Sequence, residues 1–272
     1  MYDKKFDPLN AKYTGNEAVV ILSIQREINN ILNSYVGWFD PFCELIQNAL
    51  DSVEKRMEKE SEMYVPQVKI IVNIQENSVT VTDNGVGFSE EEYTKFLAPN
   101  FSFKNGNTRG HKGVGATYLA YGFNYIQIAT KSPDFEAVGV MKNARKWLSD
   151  VSPAGNPKVE PDYNPVNDEM FESVDRGVSI TVKYDNTTYP KNLSWIGINK
   201  AKEWLDILRV KTGLGAIEEN SRISLDVIAI DKNGNRTQVH KQGIDYLSIT
   251  DFVSKAQNYT CLLYTSPSPR DS

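Results

Sequence analysis

Cysteine and histidine are scarce in this sequence. Its 272 residues contain two cysteines, Cys43 and Cys261, and two histidines, His111 and His240. Two cysteines cannot form a disulfide framework, and no Cys or His cluster has the spacing of a zinc site. The sequence therefore excludes a small disulfide-stabilised fold. We expect Cys43 to be a small apolar core residue.

Long hydrophobic runs and a positive charge excess are also lacking. No stretch approaches the roughly 18 apolar residues of a membrane-spanning helix, and the polar start MYDKKFDPLNAKYTGN does not resemble a secretory leader. The net charge of -5 argues against broad electrostatic binding to nucleic acid or anionic lipid. We therefore expect a cytoplasmic protein with no membrane partner and no indicated nucleic-acid partner.

Hydrophobic periodicity predicts a mixture of helices and strands. Residues 17–35 and the segment that begins with an acid and a proline at Asp40 are typical of helices. QVKIIVNIQENSVTVTDNG predicts a hairpin whose second strand ends at Asp83. Further strands are predicted in NYIQIATKS, FEAVGVMKN and RGVSITVKY, then a connecting helix over 197–211 and a second hairpin turning at DKNGN.

This order of elements predicts the fold class. Helices and strands do not alternate strictly, so we expect an α/β (α+β) two-layer sandwich with a mixed, mostly antiparallel sheet and helices on one face. We assign residues 1–189 to one domain and residues 190–260 to the start of a second, truncated domain. The tail CLLYTSPSPRDS, residues 261–272, resembles the translation of a transposase-end adapter used in DNA library preparation. A disordered serine- and proline-rich tail is the alternative.

Three short motifs follow one another in the first domain. In ELIQNALDSVEKR the polar residues fall on one helical face, and the apolar residues fall on the other. DNGVGF places Asp83 at a strand end before two glycines, which permit close approach of a ligand. GHKGVG is a glycine-rich loop before a helix, an arrangement that suits phosphate. Each motif alone is also typical of a solvated helix or a tight turn.

In this order the motifs resemble those of the GHKL ATPases. This superfamily includes gyrase-type topoisomerases, ninety-kilodalton heat-shock chaperones, histidine kinases, MutL and MORC proteins. ELIQNALDSVEK is similar to the chaperone N-box, DNGVGF to the adenine motif and GHKGVG to the gyrase-like phosphate loop, so the resemblance covers about residues 17–185. It implies a HATPase domain with the Bergerat ATP-binding fold, and ATP and Mg²⁺ as cofactors.

The resemblance implies a role for each matching residue. Glu44 would be the general base that activates water, and Asn48 the magnesium ligand. Asp83 would accept a hydrogen bond from the adenine amine, and Asp51 would position the N-box or reach the base through water. The backbone around the ligand would be shaped by Gly85 and Gly87 beside the base and by Gly110, Gly113, Val114 and Gly115 at the phosphates.

The segment from Phe96 to His111 corresponds to the family's mobile ATP lid. Lys104 and Lys112 would neutralise charge on the γ-phosphate, although each is also typical of an exposed lysine. We assign His111 to the lid or to packing, since it has no metal or triad partner. At Val178 the family often has a threonine whose hydroxyl bonds the adenine-binding acid, and valine cannot make that bond.

The expected function is therefore Mg-dependent ATP hydrolysis by the N-terminal module of a larger GHKL machine. ATP would close the lid and promote a homodimer clamp that acts on an unknown client. WLDILRVKTGLGAI and the following hairpin resemble bacterial ATP-binding proteins near the chaperone and MORC branches, some of them associated with phage defence. The alternatives are an interaction module that binds ATP without significant turnover and a phosphotransferase of the histidine-kinase type.

Overall fold

The computed structural model describes residues 17–60, 63–99, 114–151, 155–163, 168–216 and 222–242. The helices are α1 (Glu17–Leu32), α2 (Asp40–Met57), α3 (Glu90–Lys95), α4 (Val114–Tyr121), α5 (Ala144–Leu148), α6 (Glu169–Ser173) and α7 (Ala201–Lys211). The strands are β1 (Gln67–Asn73), β2 (Ser78–Asp83), β3 (Tyr125–Ser132), β4 (Phe135–Lys142), β5 (Val159–Pro161), β6 (Gly177–Lys183), β7 (Ser224–Ile230) and β8 (Arg236–Gln242).

The strands form one eight-stranded sheet in the order β5-β4-β3-β6-β2-β1-β7-β8. Strands β1 and β7 run parallel, and each of the other neighbouring pairs is antiparallel. The prediction of an α+β fold with a mixed, mostly antiparallel sheet is therefore confirmed. The predicted β1–β2 hairpin is present as well, and it turns at Asn77, whose φ of 51° lies in the left-handed region.

Helix α2 lies over the middle of this sheet. Pro41 stands in its first turn, where the missing N–H costs nothing. Its apolar face is buried against β1, β2 and β6 and consists of Leu45, Ile46, Ala49, Leu50 and Val53. The predicted division of α2 into an apolar and a polar face is therefore confirmed for these residues. Helix α1 is held to α5 by Gln25, whose side-chain amide donates to the carbonyl of Trp147 at 2.6 Å.

The opposite face of the sheet corrects the expectation that helices lie on one face only. The short helix α6 covers part of it, since its N-cap Asp168 accepts hydrogen bonds from Lys69 at 2.6 Å and from Thr82 at 2.5 Å. Thr82 also bonds Ser179 at 2.8 Å, and Phe171 packs on this side of the sheet. A buried carboxylate with an ammonium and a hydroxyl partner holds α6 there, which periodicity along the chain does not reveal.

Residues 190–242 continue the same sheet and core. Strand β7 pairs with β1 in parallel from Gln67 and Ser224 to Asn73 and Ile230. Helix α7 covers β7 and β8, and its Trp204 stacks on Phe42 of α2 with ring centroids 5.6 Å apart. The predicted connecting helix and hairpin are present, but as far as residue 242 they pack onto the first domain. Residues 243–260 and the tail 261–272 lie outside the described part of the chain.

Over the described ranges, no helix has both the length and the apolar character required to cross a bilayer.

Candidate functional site

The polar face of α2 is partly buried beneath neighbouring elements instead of being fully solvated. Glu44 and Asn48 are both of intermediate exposure. The hydroxyl of Tyr35 donates to Oε1 of Glu44 at 2.9 Å, and the Tyr35 ring stacks on Tyr118 of α4 at a centroid distance of 4.0 Å. Burial, with the negative charge of Glu44, raises the pKa of Tyr35 well above its ordinary value, so Tyr35 remains a hydrogen-bond donor.

The phosphate-loop motif and the N-box motif meet at Gly115. Helix α4 begins at Val114, and Gly115 is buried in its first turn. A Cβ atom at Gly115 would lie 1.8 Å from Oε2 of Glu44. Only a residue without a side chain fits between this helix N-terminus and the carboxylate. The structure thus brings together two motifs that are some seventy positions apart in the sequence.

The adenine motif also contacts α2, at a position nearer the C-terminal end of that helix. Asp83 ends β2, is 3% exposed and faces α2. Its Oδ1 accepts hydrogen bonds from the hydroxyl of Ser52 at 2.9 Å and from the N–H of Gly85 at 2.8 Å. The backbone N–H of Val178 donates to the same carboxylate. The Asp83 side chain is therefore fixed by three donors from α2, the following turn and β6.

Burial dominates the electrostatics of Asp83. Desolvation raises the pKa of this carboxyl to about 7, against the lowering effect of the hydrogen bonds from Gly85, Ser52 and Val178. A carboxyl group with such a pKa is poised between its two protonation states near neutral pH. A buried acid with such a shifted pKa is a candidate for ligand recognition.

The two glycines after Asp83 are required by close approaches of the backbone. A Cβ atom at Gly85 would lie 2.1 Å from the hydroxyl of Ser52 and 2.5 Å from the Ser52 carbonyl carbon. Gly87 has a φ of +71° and would meet the carbonyl oxygen of Lys131 at 1.9 Å. The DNGVGF turn is therefore pressed against α2 on one side and β3 on the other. This packing brings Asp83 under the polar face of α2.

Val178 lies beside Asp83, as the sequence predicts, and the side chain of its neighbour Ser179 points away from Asp83. Val178 pairs directly with Asp83 across β2 and β6 and is part of the core on the helix side. Ser179 bonds Thr82 on the opposite face of the sheet. Position 178 therefore offers no hydroxyl to Asp83, and Ser179 does not supply one in its place.

Ser52 provides the hydroxyl contact that position 178 lacks, and it was missed by the sequence prediction. Glu44, Asn48 and Ser52 are spaced by four residues, so they form one stripe along α2. Continuing the spacing from Asn48 by one more turn was the signal that could have identified Ser52. Asp51, which we expected to serve the site, accepts a hydrogen bond from Gln47 at 2.7 Å on the neighbouring stripe. Its role in ligand binding stays a prediction.

The stripe has a defined length and two chemically distinct ends. Ser52 lies eight positions after Glu44 along the α-helix, a rise of roughly 12 Å. One end holds the carboxylate of Glu44 beside the N-terminus of α4, and the other end holds the buried Asp83. Asn48 stands between them with an amide oxygen that suits a hard cation. A ligand with a hydrogen-bonding base at one end and phosphates at the other matches this order of groups.

Several predicted residues lie outside the described part of the chain. These are Lys104, Gly110, His111, Lys112 and Gly113, together with the lid segment from residue 100 onward. Among the residues described, no group of three or more His, Cys, Asp or Glu side chains could hold a metal ion. A magnesium ion here would depend on Asn48, water and ligand oxygens, which is usual for this cation with phosphates.

No protein-family model matches the chain, and no curated protein matches it in a sequence search.

Proposed function

We propose that this protein binds Mg-ATP in a Bergerat-type site and hydrolyses the γ-phosphate. The observation that carries the proposal is the convergence of three separate motifs on one stripe of α2. Gly115 approaches Glu44 at one end, and Ser52 bonds Asp83 at the other. Independent turns and solvated helices have no physical reason to converge in this way.

Adenine recognition would occur at Asp83. The carboxyl is anchored through Oδ1 by Ser52 and Gly85, which fixes its direction without loss of side-chain freedom on binding. An oriented carboxylate accepts from the exocyclic amine of adenine, whereas guanine has a carbonyl oxygen at that position and would be repelled. The site therefore favours adenine nucleotides over guanine nucleotides.

Hydrolysis would depend on Glu44. A general base must lie within hydrogen-bond reach of the attacking water and keep a fixed direction. Tyr35 donates to Oε1 of Glu44 and Gly115 leaves room beside Oε2, so one oxygen is held and the other faces the N-terminus of α4. Asn48 would hold the magnesium ion, which would neutralise charge on the phosphate oxygens. Backbone amides at the start of α4 would receive the phosphates, because helix N-termini favour anions.

At the level of the whole molecule, we propose an ATP-gated homodimer clamp of the chaperone, MutL or MORC type. Its support is the resemblance of the motifs, including the similarity of residues 204–217 to bacterial proteins linked to phage defence. An interaction module that binds ATP without turnover is the alternative, and the placement of Glu44 beside Gly115 favours hydrolysis over it. A histidine-kinase-type phosphotransferase would have asparagine in place of Glu44.

The test compares binding and turnover in the same chain. Calorimetry should detect Mg-dependent ATP binding by the wild-type protein, little response to GTP, and a strong loss of affinity in Asp83→Ala. Phosphate release should be slow in the wild type and fall at least about a hundredfold in Glu44→Ala, the range of general-base contributions, while ATP binding is retained. Equal phosphate release by wild type and Glu44→Ala would support the binding-only alternative. Absence of adenine nucleotide binding by the folded chain would refute both.

A further inference from the structure

A cavity lies between α1, α4 and α5 and is lined in part by Tyr35, the hydrogen-bond partner of Glu44. Its volume is about 820 Å³, which is within the range of small-molecule sites. Tyr35 and Tyr118 line it, and Tyr35 also donates to Glu44, so the cavity shares a wall with the candidate nucleotide site. The three ATPase motifs do not account for this cavity, because Glu44, Asn48 and Asp83 do not line it.

The charge of this cavity is positive in a protein whose net charge is -5. Arg145 and Lys146 line it, and no aspartate or glutamate is among the described residues that line it. The guanidinium of Arg145 donates to the carbonyl oxygens of Thr187 at 2.5 Å and Gly122 at 3.2 Å. Backbone carbonyls orient this half-buried cation without neutralising it, and burial lowers the pKa of Arg145.

The acid that acts on these two cations does not line the cavity. Asp185 acts on Arg145 and Lys146 at a distance. Both of its carboxylate oxygens are already engaged, since Oδ2 accepts from Asn124 at 2.8 Å and Oδ1 from Thr187 at 2.6 Å. Two cations that face a cavity without a carboxylate inside it can receive an anionic ligand.

Aromatic and amide groups complete the lining. Tyr35 and Tyr118, which both line the cavity, are stacked on each other with an interplanar angle of 4°. Tyr189 lies at the rim and is 49% exposed. Asn29 and Asn33, one turn apart on α1 and just after it, add amide groups. Aromatic side chains in the lining suit an aromatic ligand, and amide groups fix its orientation.

We propose that this cavity binds a small molecule that carries an aromatic ring and an anionic group, either a carboxylate or a phosphate. The anion pairs with Arg145 and Lys146, and the ring packs against the tyrosines. The cavity is distinct from the proposed ATP site, because the adenine acceptor Asp83 does not line it. The proposal does not depend on ATP hydrolysis, so its outcome and the outcome of the ATPase test are separate.

The experiment uses phenyl phosphate and benzoate as probes of the two anionic groups and inorganic phosphate as the probe without a ring. Each is titrated by calorimetry into the full chain. We expect at least one ring-containing probe to bind at least about tenfold more tightly than inorganic phosphate, since burial of a ring adds to the charge contact. Saturable binding by neither aromatic probe would overturn the proposal.

Charge reversal locates the bound anion. Lys146→Glu changes an exposed side chain, so the variant should fold, and its affinity for the preferred probe should fall by about tenfold or more. Lys142→Glu makes the same charge change at an exposed position outside the cavity and serves as the matched control. An equal loss in both variants would assign the effect to overall charge and refute the site. Arg145→Lys keeps the charge but not the fork of donors, and an affinity equal to wild type would exclude the proposed contact with Arg145.

Discussion

Replacing Ser52 by alanine removes the hydroxyl that connects α2 to Asp83. The hydrogen bond is 2.9 Å long and its acceptor is 3% exposed, so the group that loses its donor stays buried. A hydrogen bond to a charged group contributes about 1.5–3 kcal/mol, whereas a neutral one contributes about 0.5–1.5 kcal/mol. We therefore expect Ser52→Ala to destabilise the fold by about 2 kcal/mol when Asp83 is ionised and by about 1 kcal/mol when it is protonated.

Urea unfolding measured well above and well below pH 7 tests both values, because the pKa of Asp83 is about 7. The double variant Ser52→Ala with Asp83→Asn completes a thermodynamic cycle, in which the cost of losing the hydroxyl should drop to that of a neutral bond. Val178→Thr is the rescue variant. Residue 178 pairs with Asp83 on the helix side of the sheet, so a threonine there can return a hydroxyl donor at nearly the same volume.

A particular result would refute this reasoning. If Ser52→Ala costs the same at both pH values and in the Asp83→Asn background, the hydroxyl contributes only packing against Gly85. If Val178→Thr restores nucleotide affinity but not stability in the Ser52→Ala variant, the hydroxyl acts on the bound base and not on folding.

Three further outcomes are expected. Burial raises the pKa of Asp83 from 3.8 to about 7, so the folded state binds more protons than the unfolded state between these pH values. The free energy of unfolding of the wild type should therefore fall as pH rises through this window, by at most about 4 kcal/mol relative to Asp83→Asn. Denaturant titrations at several pH values measure this fall. Gly115→Ala would place a Cβ atom 1.8 Å from Oε2 of Glu44. Phosphate release should then fall to the level of Glu44→Ala, while the circular dichroism spectrum keeps the wild-type helix signal. Unchanged turnover would show that Glu44 has no catalytic role. Lys69→Met leaves Asp168 buried without its ammonium partner and should destabilise the fold by about 3–5 kcal/mol, whereas Lys69→Met with Asp168→Leu should recover most of that loss in thermal unfolding.

The sequence by itself determined many of the local elements and the identity of the candidate residues other than Ser52. The four-residue spacing of Leu45, Ala49 and Val53 predicts the buried face of α2, because helical geometry repeats every 3.6 residues regardless of the rest of the chain. Alternation and turn residues predict the β1–β2 hairpin and place Asp83 at a strand end for the same local reason.

Only the tertiary structure decided which of these residues meet. The contact between Gly115 and Glu44 and the bond from Ser52 to Asp83 join segments that are distant in the sequence, and no periodicity encodes such distances. The parallel pairing of β7 with β1 and the attachment of α6 by Asp168 likewise depend on burial and on satisfying polar groups across the whole core. The polar stripe of α2 can be predicted from residue spacing, but the residues that contact it are brought together only when the sheet packs against this helix.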